Sequence, residues 1–245
     1  MSTKIFAHRG ASNYAPENTM AAFQMAERMQ ADGIETDVQL TKDQVPVLIH
    51  DESINRTTNK RGLVRSLTYE QLQQLDAGSW FHRDYAGEKI ISLDSFLSWI
   101  KQTSLLLNIE LKTNQFPYPG IEEIVLQRLQ EHQMTDRTTI SSFNPDSIRR
   151  TAALDPAIDT GFLTSKRPRE LFSLMEEIGA KALHPKFRLL NKKLLNECQQ
   201  RHIPIRVYTV NQPMYILKAL EAACDTIISD VPDRALELRK SYITS

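Results

Sequence analysis

The feature that most constrains this chain is a repeated alternation of short apolar runs with amphipathic segments. Residues 4–8, 34–40, 45–50, 105–111, 138–143, 159–163, 180–184, 205–210 and 226–229 have the length and patterning of strands. Helical periodicity occupies 20–30, 93–102, 120–133, 145–154, 168–178, 191–201, 213–223 and 232–240. Several of these segments begin on a start signal, among them Asn144-Pro145, Asn191 and Asp230-Val231-Pro232. Repeated β-α units of this size predict a parallel sheet with helical crossovers, and eight of them close a barrel. The surplus run is accounted for if 45–50 pairs beside the second strand or continues it. The expected fold is therefore α/β, a single (β/α)8 TIM-type barrel over residues 1–245.

One stretch interrupts the rhythm. Residues 51–91 are polar, carry Arg56-Thr57-Thr58 and Gly78-Ser79-Trp80-Phe81, and offer one short helix over 68–75. Insertions of this length inside a compact domain are usually functional or flexible and not neutral filler. The expectation is a polar insertion after the second strand region, lying as a cap over the barrel mouth.

Charge narrows the choice of partner. Lys+Arg and Asp+Glu are both 30, so no polyanion-binding surface is implied and nucleic acid is not expected. The opening Met1-Ser2-Thr3-Lys4-Ile5-Phe6-Ala7-His8 lacks the apolar core of a signal peptide, and no run is long enough for stable membrane insertion. Two cysteines, Cys198 and Cys224, make no disulfide framework. A cytoplasmic protein is the expectation.

Polar residues gather at the ends of the apolar runs, where a barrel carries its chemistry. The first run ends in His8-Arg9-Gly10, the second carries Glu35 and Asp37 on one face, and the third ends in His50-Asp51. The fourth reads Asn108-Ile109-Glu110-Leu111-Lys112, with Asn108, Glu110 and Lys112 on a common face. Three converging carboxylates repel one another unless a proton or a cation intervenes. An all-oxygen set suits one divalent metal ion of the hard kind, Mg²⁺ or Ca²⁺. Two imidazoles nearby can then carry protons, while Arg9 and Lys112 supply charge for a phosphate.

These residues, together with Ala15-Pro16-Glu17-Asn18-Thr19, Arg56-Thr57-Thr58, Val210-Asn211 and Ser229-Asp230-Val231-Pro232, resemble the glycerophosphodiester phosphodiesterase family. The motifs run in family order from residue 4 to about 235. The resemblance implies His8 and His50 as the acid/base pair and Glu35, Asp37 and Glu110 as metal ligands. It implies Arg9 and Lys112 as phosphate-binding groups, with Glu17 organising Arg9. The implied reaction takes a small-molecule glycerophosphodiester, such as glycerophosphocholine or glycerophosphoethanolamine, to glycerol 3-phosphate and an alcohol. Attack by the glycerol 2-hydroxyl and attack by water both remain open. Tyr208-Thr209-Val210-Asn211 and Ser92-Leu93-Asp94 depart from the family pattern, and Tyr208 bears on the pocket wall.

Plainer readings compete at each position. His8 alone would read as a structural histidine, Lys112 as an exposed strand-end charge, and Glu17 as a helix-terminal carboxylate. Asn211 and Asp230 fit turn or cap positions and are left outside the catalytic set. His82, His132 and His202 are expected on the surface, and His184 in a pocket. Phe143, Trp80 and Phe81 suit either the alcohol pocket or packing. Two other activities are carried forward, a phospholipase D-like action on lysophospholipids and a non-catalytic phosphodiester-binding module.

Overall fold

A computed structural model describes residues 3–244. Nine strands form one sheet: β1 (Lys4–His8), β2 (Gly33–Leu40), β3 (Pro46–Leu48), β4 (Leu106–Leu111), β5 (Thr138–Ser142), β6 (Asp159–Thr164), β7 (Ala182–Pro185), β8 (Arg206–Val207) and β9 (Thr226–Ser229). Eight run parallel in the order β7-β6-β5-β4-β2-β1-β9-β8. Parallel bridges Leu183–Ile205 and Lys186–Tyr208 join the two ends, so the sheet curls into a nearly closed barrel. The surplus run is β3, which pairs antiparallel with β2 through Val38–Leu48 and Leu40–Pro46.

Helices α1 (Met20–Arg28), α3 (Leu93–Ile100), α4 (Ile121–Glu131), α5 (Pro145–Leu154), α6 (Leu171–Ile178), α7 (Lys192–Gln200), α8 (Pro213–Glu221) and α9 (Pro232–Thr244) lie between or after the strands, and α2 (Tyr69–Gln73) sits in the inserted segment. Local sequence sets several starts. The Thr19 hydroxyl accepts from Ala22 N–H at α1, and Asn144 accepts from Asp146 N–H ahead of Pro145 at α5. Most helices end a residue or two inside the expected bounds, and the run at 205–210 contributes only two strand residues.

All eight residues of β2 are buried, because one face looks into the barrel and the other onto the helical layer. Ile34 and Val38 pack outward with Phe23, Ala26, Phe96 and Leu97. Burying a side chain such as Phe23 or Phe96 contributes about 1.5–3 kcal/mol. The alternate residues, Glu35 and Asp37, are thereby committed to the interior side. The segment 51–91 has a small apolar cluster of its own, in which Ile54, Val64, Leu72, Leu75, Ala77 and Ile90 close on Val47 and Ile49. It is therefore seated on the end of β3 and not loose. Among the described residues no helix is long and apolar enough to cross a membrane.

Candidate active site

Strand register explains why the acidic residues meet. His8 of β1 lies opposite Glu35 of β2, and Asp37 of β2 lies opposite Glu110 of β4. Carboxylate oxygens of Glu35, Asp37 and Glu110 come within 4.8 Å of one another, and all three side chains are buried. Burial pushes the Glu35 carboxyl well above the usual range, and the charges of Asp37 and Glu110 push it further. Burial also raises Glu110, although Lys112 opposes it. Asp37 goes the other way: burial would raise it, but Arg9, Lys112 and His50 together hold it below the ordinary carboxylate range.

Two cations border the cluster. Lys112 Nζ is 2.9 Å from Glu110 Oε1 and 3.7 Å from Asp37 Oδ1. Arg9 Nε is 3.3 Å from Asp37 Oδ2, and Arg9 Nη1 donates to Glu17 Oε1 at 2.9 Å. Arg9 achieves this from a left-handed backbone, φ 56°, a conformation uncommon outside glycine. The following Gly10, φ 80°, has no room for a side chain, since a Cβ would fall 2.6 Å from the Ala22 carbonyl carbon. Asn18 Nδ2 donates to Asp37 Oδ2 at 3.0 Å while Asn18 Oδ1 accepts from the Thr36 hydroxyl, which fixes the amide orientation.

Each imidazole is held by an aspartate. His8 Nδ1 lies 2.6 Å from Asp230 Oδ1, and His50 Nδ1 lies 2.7 Å from Asp51 Oδ1. An ionised carboxylate only accepts, so in both rings Nδ1 carries the hydrogen and Nε2 is left free. His8 Nε2 is 3.9 Å from Glu35 Oε2, so that free nitrogen faces the acidic cluster. Burial would raise Asp230, yet the His8, Asn211 and Ser12 contacts bring its carboxyl down to about 2. The loop bearing His50 is held by Gln39, whose side-chain nitrogen serves the carbonyls of Ile49, His50 and Asp51 at 3.0, 3.1 and 2.8 Å.

All eight residues singled out from the sequence thus fall in one connected region. Sequence reasoning set aside Asp230 and Asn211 as cap residues and gave Asp51, Arg56 and Gln39 no role. Only the adjacency of β9 to β1 reveals the first two. The wall near Glu110 includes Tyr208, whose hydroxyl has no protein partner and whose ring meets Phe143 edge-on at 5.8 Å. Trp80, Phe81 and Tyr85 stack edge to face in the inserted segment.

Other histidines lie elsewhere. His82 and His202 are exposed, but His132 departs from expectation: it is half-buried and lies 3.3 Å from Asp94. His184 does line a cavity, but at the opposite end of the barrel. That space of about 200 Å³ is bounded by the strand starts Lys4, Leu106, Thr138, Asp159 and Arg206.

The acidic residues fit a hard divalent ion. Asp37 Oδ1 is buried without a hydrogen-bond partner, three carboxylates crowd together, and the donor set is all oxygen. Fully ionised, three carboxylates exceed the two neighbouring cations by one charge, and burial together with this crowding raises Glu35. A divalent ion would offset that excess.

Residues 8–234 match the profile of the Glycerophosphoryl diester phosphodiesterase family. A glycerophosphodiester phosphodiesterase of Bacillus altitudinis is 40% identical over 241 residues, covering 97% of this chain and 98% of its own. One from Caldanaerobacter subterraneus is 38% identical over 238 residues, with 97% and 98% covered. Among solved structures, an Oleispira antarctica phosphodiesterase in complex with the product sn-glycerol-3-phosphate superposes with a TM-score of 0.91 at 30% identity, covering 100% of this chain and 98% of that one.

Proposed function

The chain belongs to the glycerophosphoryl diester phosphodiesterase family, and from that premise we propose that it hydrolyses glycerophosphodiesters such as glycerophosphocholine and glycerophosphoethanolamine to glycerol 3-phosphate and the free alcohol. The observation that carries the reading is the buried acidic triad flanked by His8 and by the charges of Arg9 and Lys112. The glycerol side of the substrate is supported by the product held in the Oleispira relative. Glu35, Asp37 and Glu110 would hold one Mg²⁺ or Ca²⁺. Bound there, the ion supplies Lewis-acid stabilisation of charge on the phosphoryl oxygens.

The remaining work falls to the protein's own groups. Arg9 and Lys112 receive the phosphate, Arg9 through a planar fork that matches two oxygens, with its orientation set by Glu17. One imidazole takes a proton at its Nε2 from the attacking group, either water or the glycerol 2-hydroxyl, as that oxygen bonds to phosphorus. The other, in its protonated form, gives a proton to the leaving alkoxide as the old phosphorus–oxygen bond breaks. After attack by the 2-hydroxyl, water opens the cyclic phosphate to glycerol 3-phosphate. Asp230 and Asp51 fix the tautomers this requires and stabilise the imidazolium forms. The segment 51–91 is read as a cap on a single barrel domain, with its aromatic residues and Tyr208 bordering the alcohol. A reducing, cytoplasmic setting is supported by two buried free thiols, Cys198 and Cys224.

The test is a panel of glycerophosphodiesters crossed with Mg²⁺, Ca²⁺ and a chelator, scored by release of glycerol 3-phosphate. Metal-dependent release with at least one substrate is expected. No release from any of them at millimolar metal would refute the proposal.

A further inference from the structure

Arg56 comes from the inserted segment, 39 residues after Glu17 and five after Asp51, and it grips both carboxylates at once. Its Nη1 donates to Glu17 Oε2 at 2.6 Å and its Nη2 to Glu17 Oε1 at 2.8 Å. Its Nε donates to Asp51 Oδ2 at 2.7 Å, and Nη2 reaches Asp51 Oδ1 at 3.0 Å. Each carboxylate in turn holds a group of the proposed active site. Glu17 Oε1 accepts from Arg9 Nη1 at 2.9 Å, and Asp51 Oδ1 lies 2.7 Å from His50 Nδ1.

The result is an unbroken run, His50–Asp51–Arg56–Glu17–Arg9, that passes through one guanidinium. An exposed ion pair contributes little as a rule, and the Arg56 side chain is 43% exposed. This case differs in two respects: the fork geometry is bidentate towards each carboxylate, and the two carboxylates have no shared cation other than Arg56 in the run. Glu17 is largely buried beneath it, with 12% of its side chain exposed. Trp80 of the same segment lies with its ring centre 6.0 Å from the guanidinium carbon, on a rotamer tied by its indole N–H to Ala77. A lysine could not reproduce this arrangement, because an ammonium offers a point charge and not a fork.

We propose that Arg56 is a positioning residue for both parts of the site, setting His50 through Asp51 and Arg9 through Glu17. The inserted segment thereby does more than cover the barrel mouth. Its docking through Arg56 aligns a proton-transfer group and a phosphate-binding group together, so a poorly seated segment leaves both misaligned. The inference rests on the hydrolytic reading above for its kinetic consequences but not for its geometric ones.

The experiment uses the full chain with metal, as wild type, Arg56→Ala and Arg56→Lys, and reads two quantities. Release of glycerol 3-phosphate should fall roughly 10- to 100-fold in kcat/KM in both variants, the range for partners that orient a site's groups. The loss should divide between kcat, through His50, and KM, through Arg9. Millimolar guanidinium should restore much of the Arg56→Ala rate, whereas ammonium at equal ionic strength should not. The second readout needs no substrate: ¹⁵N spectra of labelled histidine should show the His50 Nδ1–H signal broadened or lost in Arg56→Ala and regained with guanidinium. Arg56→Lys retains the charge and supplies a folded comparison should the alanine variant be unstable. Wild-type kinetics in either variant, or an unchanged His50 signal in Arg56→Ala, would overturn the proposal. A wild type that turns nothing over, but whose His50 signal depends on Arg56, would sink the hydrolytic reading and leave the positioning role standing.

Discussion

His8 and Asp230 stand 222 residues apart in sequence, yet His8 Nδ1 and Asp230 Oδ1 are 2.6 Å apart. The barrel's closure is the cause: β9 pairs with β1 in a register that sets Ala7 against Ser229, so the next residue on each strand meets at the rim. Ser12 Oγ donates to the same oxygen at 3.0 Å, and Asn211 Nδ2 donates to the other at 2.5 Å. The aspartate therefore accepts from three directions and can present only lone pairs to the ring.

Asp230→Asn breaks that arrangement, since an amide brings two hydrogens into a site that supplies donors. The ring is then free to take the other tautomer, with hydrogen on Nε2. Turnover should fall by roughly 10²- to 10⁴-fold with little change in KM. His8→Ala and His50→Ala should each lower kcat by about 10²-fold or more. Steady-state kinetics on a cleaved glycerophosphodiester will decide, and an Asp230→Asn enzyme with native kcat would reject the orienting role.

Metal binding should depend on pH in a definite direction. Burial and neighbouring carboxylates raise Glu35, and burial raises Glu110, so a proton competes with the ion at a higher pH than it would for ordinary carboxylates. Affinity should weaken on acidification before pH falls to about 4.3, the usual glutamate value. Binding should also release protons, which calorimetry in buffers of different ionisation heat measures directly. Glu110→Gln or Asp37→Asn should abolish the metal-induced rise in Tm and lower activity at least about 100-fold. Equal Tm shifts in the variants and the wild type would remove these residues from the metal site.

How much of this was legible in the sequence follows from which contacts are local in register. Alternation along β2 and β4 was enough to put Glu35, Asp37 and Glu110 on interior faces, because strand parity is a property of the sequence itself. The barrel could be counted for the same reason. The antiparallel course of β3 could only be posed as pairing beside or continuing β2, since a three-residue strand carries no directional signal. Asp230 looked like a helix cap, and its position just before Pro232 at the start of α9 is compatible with that; its bond to His8 depends on closure across the whole chain. Arg56 lay in a polar stretch with no periodicity, and nothing local indicates that its fork reaches back to Glu17. His184 sat on a strand, but strand parity alone does not say which end of the barrel a buried ring will face.

Gly161→Ala should be costly although it adds one methyl group. A Cβ at that position would lie 2.3 Å from His184 Nε2 and 2.6 Å from its Cε1. His184 is fully buried, so either its ring or the β6 backbone must move to admit the new methyl group. Overpacking of this kind costs about 1–3 kcal/mol. For a chain of this size that corresponds to a fall in Tm of roughly 2–12 °C. Calorimetry showing an unchanged Tm would mean the ring relaxes freely.

His184 itself should make the fold sensitive to mild acid. Burial pushes its imidazole well below the ordinary range, the nearby Arg206 charge pushes it further, and Asp225 opposes them. Neither ring nitrogen has a protein partner. The unfolded chain takes up a proton here as pH falls through about 6.5, whereas the folded chain resists it. The unfolded state then binds more protons, so stability is complete above about 6.5 and declines below it. His184→Leu keeps a side chain of broadly similar bulk and removes the titrating group. The difference in Tm between pH 7.5 and pH 5 should therefore be smaller in His184→Leu than in the wild type, whatever the variant's absolute Tm. Parallel Tm–pH curves for the two proteins would show that His184 accepts its proton as readily folded as unfolded, with the cavity at the strand starts admitting enough water to solvate the charge.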